Sequence, residues 1–97
     1  MKSFQLIVTY HAKPGCREAF LREVADAGIR TSVLAEAGCL KYDYFTAVDD
    51  PNDFVLLEAW ENEAAQQWHV KQPHMALLRS IKEKYVISAE LQTFTQE

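Results

Sequence analysis

Residues 54–60 read Phe-Val-Leu-Leu-Glu-Ala-Trp, a short and almost entirely apolar segment. Successive side chains of a β-strand point to opposite faces of the sheet. Both faces of this segment would be apolar, with Glu58 as the one polar side chain. A strand with one face in water alternates apolar and polar residues instead. The pattern therefore predicts a strand that is covered on both sides.

The segments on either side of this strand predict an α+β domain. Period-two patterns and β-favouring residues indicate strands over 4–11, 40–48, 54–60 and 86–95, and helical spacing indicates helices over 16–37, over 63–70 and from Pro73 onward. Asn62 is a candidate N-cap, and Gly38 suits a left-handed C-cap. The βαββαβ order predicts a ferredoxin-like sandwich, with four antiparallel strands and helices on one face. We expect residues 1–97 to form a single domain.

Helices cover only one face of such a sheet, so the apolar residues on the other face need a second cover. A second copy of the same sheet is the simplest one. A chain of 97 residues buries only about 60–65% of its unfolded surface, which makes the monomer marginal. We therefore expect a homodimer, although soluble proteins also tolerate some exposed apolar side chains.

Composition disfavours two classes of partner and suggests a compartment. A net charge of −4 without a basic stripe argues against nucleic-acid binding. The apolar runs are shorter than the ~20 residues of a membrane span, so we expect no membrane partner. Cys16 and Cys39 are interpreted as apolar thiols in a reducing cytoplasm.

Glu58, His69 and His74 are the candidate catalytic residues. A carboxylate inside an apolar strand needs a partner or a raised pKa, so Glu58 is either an acid–base group or a structural carboxylate bonded to a neighbouring Tyr, Trp or backbone group. His69 and His74 flank a helix break, and imidazole titrates near neutral pH. Either they exchange protons with a substrate hydroxyl, or one of them only caps a helix end while the other is solvated. His11 should face the dimer core or solvent.

We expect no metal and no cofactor. His69, His74 and Glu58 could form a two-histidine, one-carboxylate set. However, the His-x4-His spacing, broken by Pro73, does not place both rings on one regular helix face. The sequence also lacks a phosphate-binding loop, a nucleophile motif and a nicotinamide or flavin fingerprint.

Aromatic side chains suit a pocket for a flat ring system and suit an ordinary core equally well. The candidates for the substrate pocket are Trp60, Trp68, Tyr42 and Tyr44.

Three segments resemble the antibiotic biosynthesis monooxygenase (ABM) family. Residues 36–42, Glu-Ala-Gly-Cys-Leu-Lys-Tyr, resemble its E-x-G-C-x-x-Y segment, and residues 54–61 resemble its third strand. His69 and residues 72–74 resemble the H-x-x-T-P-H segment of small bacterial quinol monooxygenases and autoinducer-2-degrading proteins, with Gln72 in place of Thr. The similarity extends over nearly the whole chain.

The resemblance implies a dimeric α+β barrel, with the two sheets face to face and a pocket between each sheet and its helices. It implies oxidation of a quinol-like or phenolic small molecule by O2 without metal or flavin. On this interpretation His69 or His74 removes the phenolic proton, Glu58 orients a partner, and Trp60 and Trp68 line the cavity.

Two other functions stay open, and one is disfavoured. The positions that haem-degrading relatives use are occupied by Val8, His69 and Arg79, which argues against haem degradation and makes Val8 a candidate pocket residue. An isomerase or degrading enzyme for a phosphorylated autoinducer-2-like signal would need cations such as Lys71, Arg79 and Lys82. A non-catalytic dimeric ligand-binding domain would bind without turnover.

Overall fold

The computed structural model describes residues 3–96 and confirms the predicted α+β, ferredoxin-like class. The elements in chain order are β1 (Ser3–Ala12), α1 (Arg17–Asp26), α2 (Ile29–Leu34), β2 (Cys39–Thr46), β3 (Asp53–Trp60), α3 (Glu63–His69), α4 (Pro73–Tyr85) and β4 (Val86–Gln96). The strands form one antiparallel sheet in the order β2-β3-β1-β4.

Two predictions about the chain as a whole stay predictions. The single domain over residues 1–97 includes residues 1, 2 and 97, which lie outside the described residues. The dimeric barrel depends on a second copy of the chain, so it also stays a prediction. No helix within residues 3–96 combines the length and the apolarity that crossing a membrane requires.

Helix formation between β1 and β2 differs from the prediction. The single helix expected over 16–37 is wrong, because Gly28 adopts φ +68° and separates α1 from α2. A residue in this left-handed region cannot continue an α-helix, and glycine enters it without a steric penalty. The break turns Ile29 and Val33 into the core, both 0% exposed, and leaves Leu34 40% exposed.

The two faces of β3 have different surroundings. Its even-numbered residues face the helices and are buried, and they include Glu58, which pairs with Leu6 on β1 and with Tyr42 on β2. Its odd-numbered residues lie half-buried on the face without helices, which we call the open face. Phe45 and Phe94 pair with odd-numbered positions and are 49% and 46% exposed there. Both faces of β3 are therefore apolar, and only one of them is covered by other elements within residues 3–96.

Local signals place α3 and α4 against the end of α2. The Asn62 side chain accepts a hydrogen bond from the Ala65 N–H, which confirms the predicted N-cap of α3. Gly38 has φ +84°, as predicted, and a Cβ there would lie 2.7 Å from the Ala65 Cβ. Glycine thus lets α3 pack closely against the start of β2. Pro73 then begins α4, so the α3–α4 turn lies beside the residues that follow α2.

Candidate active site

Glu36, His69 and His74, which we call the Glu36 cluster, meet where α2, α3 and α4 converge. The Oε2 atom of Glu36 lies 2.9 Å from His69 Nδ1 and 2.7 Å from His74 Nε2. Their side chains are 7%, 1% and 20% exposed, respectively. An ionised carboxylate only accepts hydrogen bonds, so both imidazoles donate an N–H to the same oxygen. The cluster is thus a buried carboxylate shared by two histidines.

This arrangement fixes the orientation of His69. Because Nδ1 donates to Glu36, the neutral ring carries its free lone pair on Nε2. Nε2 lies 3.9 Å from Glu58 Oε1. The ring also packs against Trp60, with centroids 4.6 Å apart, and beside Tyr42 at 5.9 Å. Packing and the carboxylate together hold His69 in one tautomer, with its basic nitrogen directed towards Glu58.

Glu58 has a bonded partner and also faces a cavity. The indole Nε1–H of Trp60 donates to Glu58 Oε1 at 3.0 Å, which is the structural contact expected for a buried carboxylate. Burial raises the pKa of Glu58, and the Trp60 hydrogen bond and the charges of His69 and Lys82 partly oppose that rise. Because the protonated form is favoured relative to an exposed Glu, the carboxyl is suited to hydrogen-bond donation as well as acceptance.

A cavity of about 470 Å³ lies between the β1–β4 half of the sheet and helices α3 and α4. This volume is within the range of small-ligand sites. Leu6, Val8 and Met75 provide apolar lining, and Glu58 and His69 meet it from one side. The cavity therefore combines an apolar wall with an acid and a base next to each other, which suits proton transfer to or from a bound ring system.

The structure brings only some of the predicted site residues to this cavity. Among the predicted pocket residues, Val8 lines it, whereas Trp60, Tyr42, Tyr44 and Trp68 are not part of its lining. Trp60 and Tyr42 are fully buried and support His69 from behind. Trp68 is 61% exposed. His74 is also not part of the lining and shares the Glu36 carboxylate with His69.

Glu36 is the residue that sequence reasoning did not select. It lies two residues after the end of α2, where the partial negative charge of the helix disfavours another negative group. A carboxylate at the end of a helix, without a cation nearby in the sequence, is a signal that could have marked Glu36 as a functional residue. It also lies in the E-x-G-C segment on which the family resemblance rests.

The Glu36 cluster is also the set of residues that could hold a metal ion. One ligand atom from each of Glu36, His69 and His74 lies within 4.8 Å of the others. The carboxylate in this set is Glu36, whereas the sequence suggested Glu58. The turn between α3 and α4 brings the two imidazoles to a centroid distance of 6.5 Å. The two rings therefore approach each other without sharing a helix face, and the His-x4-His spacing does not exclude a metal site. In the structure both imidazoles donate to Glu36 Oε2, whereas Glu36 Oε1 is buried without a hydrogen-bond partner among the described residues.

Sheet, cluster and cavity together define a small ferredoxin-like domain with a ligand-sized site between sheet and helices. The family model described as "Antibiotic biosynthesis monooxygenase" matches residues 3–79. The chain therefore belongs to the antibiotic biosynthesis monooxygenase family, as the sequence segments suggested.

Named relatives agree with this assignment. The chain is 39% identical over 85 residues to "Putative monooxygenase YcnE" of Bacillus subtilis, covering 88% of this chain and 86% of that protein. The crystal structure of PA3566 from Pseudomonas aeruginosa has a TM-score of 0.87 at 28% identity, covering 100% of this chain and 96% of that one. A structure from Nitrosomonas europaea, "Putative antibiotic biosynthesis monooxygenase", has a TM-score of 0.82 at 22% identity over 97% and 88% of the chains, and supports the fold.

Proposed function

We propose that this protein is a cofactor-independent monooxygenase that oxidises a phenolic or quinol-like small molecule with O2, with His69 as the catalytic base. The observation that carries the proposal is the fixed orientation of His69. Its Nδ1 is held by Glu36 at 2.9 Å, and its other nitrogen is directed towards Glu58, which lines the same cavity. A buried base with a set tautomer, beside an apolar cavity, suits abstraction of a hydroxyl proton.

The first step is transfer of the substrate hydroxyl proton to His69 Nε2. The imidazolium that forms keeps its Nδ1–H on Glu36, and the negative charge of Glu36 stabilises it, as a carboxylate does behind a catalytic histidine. Glu58 lies next to the same nitrogen and positions the hydroxyl. The phenolate left behind is electron-rich at the ring carbon para to its oxygen.

The second step adds oxygen to that carbon. Electrons pass from the phenolate to O2, a C–O bond forms, and the product is a peroxide anion at the ring carbon. The imidazolium gives its proton to the distal oxygen, which forms the hydroperoxide. The ring carbon then loses its hydrogen as a proton, the O–O bond breaks with loss of hydroxide, and the proton and hydroxide combine, so one phenol and one O2 give one quinone and one water. The substrate supplies all the electrons.

Oxygen consumption by purified protein tests this proposal. We expect uptake with at least one member of a panel of phenols and quinols, and a fall of about 10²–10⁴ in kcat/KM in His69→Ala. The matched control is His11→Gln, which removes an imidazole from the open face and should leave the rate unchanged. With ¹⁸O2, one labelled atom should appear in the quinone and the other in water.

Absence of uptake across the whole panel would overturn the proposal. Unlabelled product would also contradict it, since the inserted oxygen would then come from water.

We also propose that the open face binds a second copy of the chain. The support is its row of half-buried apolar residues, including Val55 and Leu57, together with Phe45 and Phe94. Light scattering should give twice the monomer mass, and Leu57→Lys should shift the protein to the monomer mass while retaining its helical content. A wild-type protein that runs as a monomer at every concentration would refute this arrangement.

A phosphorylated substrate receives less support. Of the three cations that the sequence suggested for it, Lys82 lines the cavity, whereas Lys71 and Arg79 are exposed and are not part of its lining.

We further propose a cytoplasmic location, since both Cys16 and Cys39 are free thiols, and free thiols are typical of reducing compartments. Recovery of the native protein from an extracellular fraction would contradict that location.

A further inference from the structure

Lys82 occupies an unusual position for a lysine. It lies on α4 one and two turns after Leu78 and Met75, which face the core, so its side chain extends along the inner side of the helix. Its Nζ lies 5.1 Å from the centroid of the Tyr10 ring, and both residues line the cavity. The ammonium group is thus directed into the apolar space beneath the helices.

This ammonium has no hydrogen-bonding partner within the described residues. It makes neither a hydrogen bond nor an ion pair with any side chain or carbonyl between residues 3 and 96. By contrast, Lys84 on the same helix pairs with Glu23. An ammonium has three N–H donors, and the half-buried side chain of Lys82 leaves them for solvent or a ligand in the cavity. Burial lowers the pKa of Lys82, whereas the nearby Glu58 raises it.

We propose that Lys82 binds the ionised oxygen of the substrate and so selects aromatic molecules that carry one acidic hydroxyl. This inference rests on the proposed oxidation, because it identifies the substrate class at the same site. The bound anion supplies the acceptor that the ammonium lacks. A charge-assisted hydrogen bond in an apolar site is stronger than a neutral one.

The other charged and titratable groups of the cavity favour a single negative charge. Glu58 and Glu83 also line it, so a dianion such as a phosphate ester would meet two carboxyl groups and one ammonium. A phenolate brings one charge and an apolar ring, which matches the single ammonium and the lining of Leu6 and Val8. Burial also raises the pKa of Tyr10, so the Tyr10 hydroxyl remains neutral and does not compete for the ammonium.

This placement divides the work of deprotonation between two residues. His69 takes the proton, and Lys82 stays protonated and holds the oxygen that has lost it. The bond that breaks is the substrate O–H, the bond that forms is N–H on His69, and no redox change occurs in this step. Stabilisation of the anion lowers the pKa of the bound hydroxyl and increases the fraction of substrate that is ready to react with O2.

Three nitroaromatic probes of matched shape test the inference by binding alone: 4-nitrophenol, 4-nitroanisole and 4-nitrophenyl phosphate. The nitro group makes the ring too electron-poor for facile oxidation, so affinity is measured without turnover. At pH 8 we expect wild-type protein to bind 4-nitrophenolate about ten- to a hundredfold more tightly than 4-nitroanisole. Lys82→Met should lose this preference and keep its affinity for 4-nitroanisole, which also shows that the cavity is intact.

Lys82→Arg should keep at least part of the preference, and Lys71→Met, which removes an exposed lysine, should keep all of it. The inference is overturned if Lys82→Met still prefers the phenolate, or if wild-type protein binds 4-nitrophenyl phosphate more tightly than 4-nitrophenolate. A protein that prefers the phenolate but consumes no oxygen would leave this inference standing and refute the proposed oxidation. Turnover of phenols by a protein that shows no preference for the phenolate would refute this inference and leave the proposed oxidation standing.

Discussion

Two groups of histidine and carboxylate side chains lie on opposite faces of the sheet, and their compositions are inverted. On the open face, His11 lies between two carboxylates, with Nδ1 2.8 Å from Asp53 Oδ1 and Nε2 2.9 Å from Glu90 Oε2. We call these three residues the His11 cluster. On the covered face, one carboxylate, Glu36, is shared by two imidazoles. In the His11 cluster both nitrogens of the single imidazole are hydrogen-bonded, whereas in the Glu36 cluster the far nitrogen of His69 makes no hydrogen bond and lies 3.9 Å from Glu58 Oε1.

This difference explains why one group suits catalysis and the other does not. Both nitrogens of His11 donate, so the protonated ring is favoured, and its hydrogen bonds to Glu90 and Asp53 raise its pKa. A ring held in this way has no lone pair to offer. In the Glu36 cluster the carboxylate occupies one side of His69 and leaves the other side for a substrate. Whether the second nitrogen of the ring is already hydrogen-bonded to a carboxylate therefore decides whether the imidazole is held as a cation or can accept a proton.

The largest effect should follow from Glu36→Gln, which removes the charge of the Glu36 cluster and keeps its shape. The neutral amide stabilises an imidazolium at His69 less well, so we expect kcat/KM for the oxidation to fall by about 10²–10⁴. Because Glu36 does not line the cavity, the loss should appear in kcat, with KM nearly constant. Steady-state kinetics on folded protein of unchanged melting temperature measures this split.

Glu63→Gln is the matched control, since Glu63 is an exposed carboxylate in the first turn of α3. A loss in Glu36→Gln no larger than that in Glu63→Gln would contradict the role of Glu36. A change confined to KM would also contradict it.

Much of the fold could be predicted because its signals are local. Alternation identified β1, a run of apolar residues identified β3, Asn62 marked the start of α3, and Gly38 marked a left-handed position, all confirmed by the structure. The break at Gly28 was not predicted, because a helix often tolerates a single glycine, and only packing decides that it terminates α1. The orientation of a short helix such as α3 is equally weakly encoded, which is why Trp68 was expected at the cavity.

The candidate site was only partly predictable for a related reason. Glu58 and the two histidines were recognisable as polar residues in apolar or broken segments. The partnership of Glu36 with His69 spans 33 positions in sequence and depends on the close approach of Gly38 to Ala65. No local pattern encodes such a contact. The catalytic roles of His69, His74 and Glu58 stay predictions.

A smaller effect, on stability, should distinguish the covered face from the open face. The folded-state pKa of Glu58 is raised by burial, so its contribution to stability is fully present below the unfolded pKa and falls as pH rises above it. Glu58→Gln removes this loss, and its amide oxygen can still accept from Trp60 Nε1–H. We expect a melting temperature a few degrees above wild type at pH 8 and close to wild type at pH 4, together with lower activity.

Thermal unfolding across this pH range measures the effect. If Glu58→Gln is less stable than wild type at pH 8, the surroundings of Glu58 stabilise its ionised form by more than burial destabilises it, and the prediction is wrong.

The smallest effect should come from the His11 cluster, and its sign should be opposite to that of Glu58→Gln. The hydrogen bonds of Glu90 and Asp53 raise the folded-state pKa of His11 above 6.5. Their contribution is therefore fully present below pH 6.5 and is lost as pH rises through the folded pKa. His11→Gln should lower the melting temperature slightly at pH 6 and not at pH 9, because exposed ion pairs contribute little and are screened by salt. The pH 6 difference should shrink further in 1 M NaCl. An equal decrease at pH 6 and pH 9 would mean that His11 stabilises the sheet by packing, and the electrostatic contrast between the two faces would then fail.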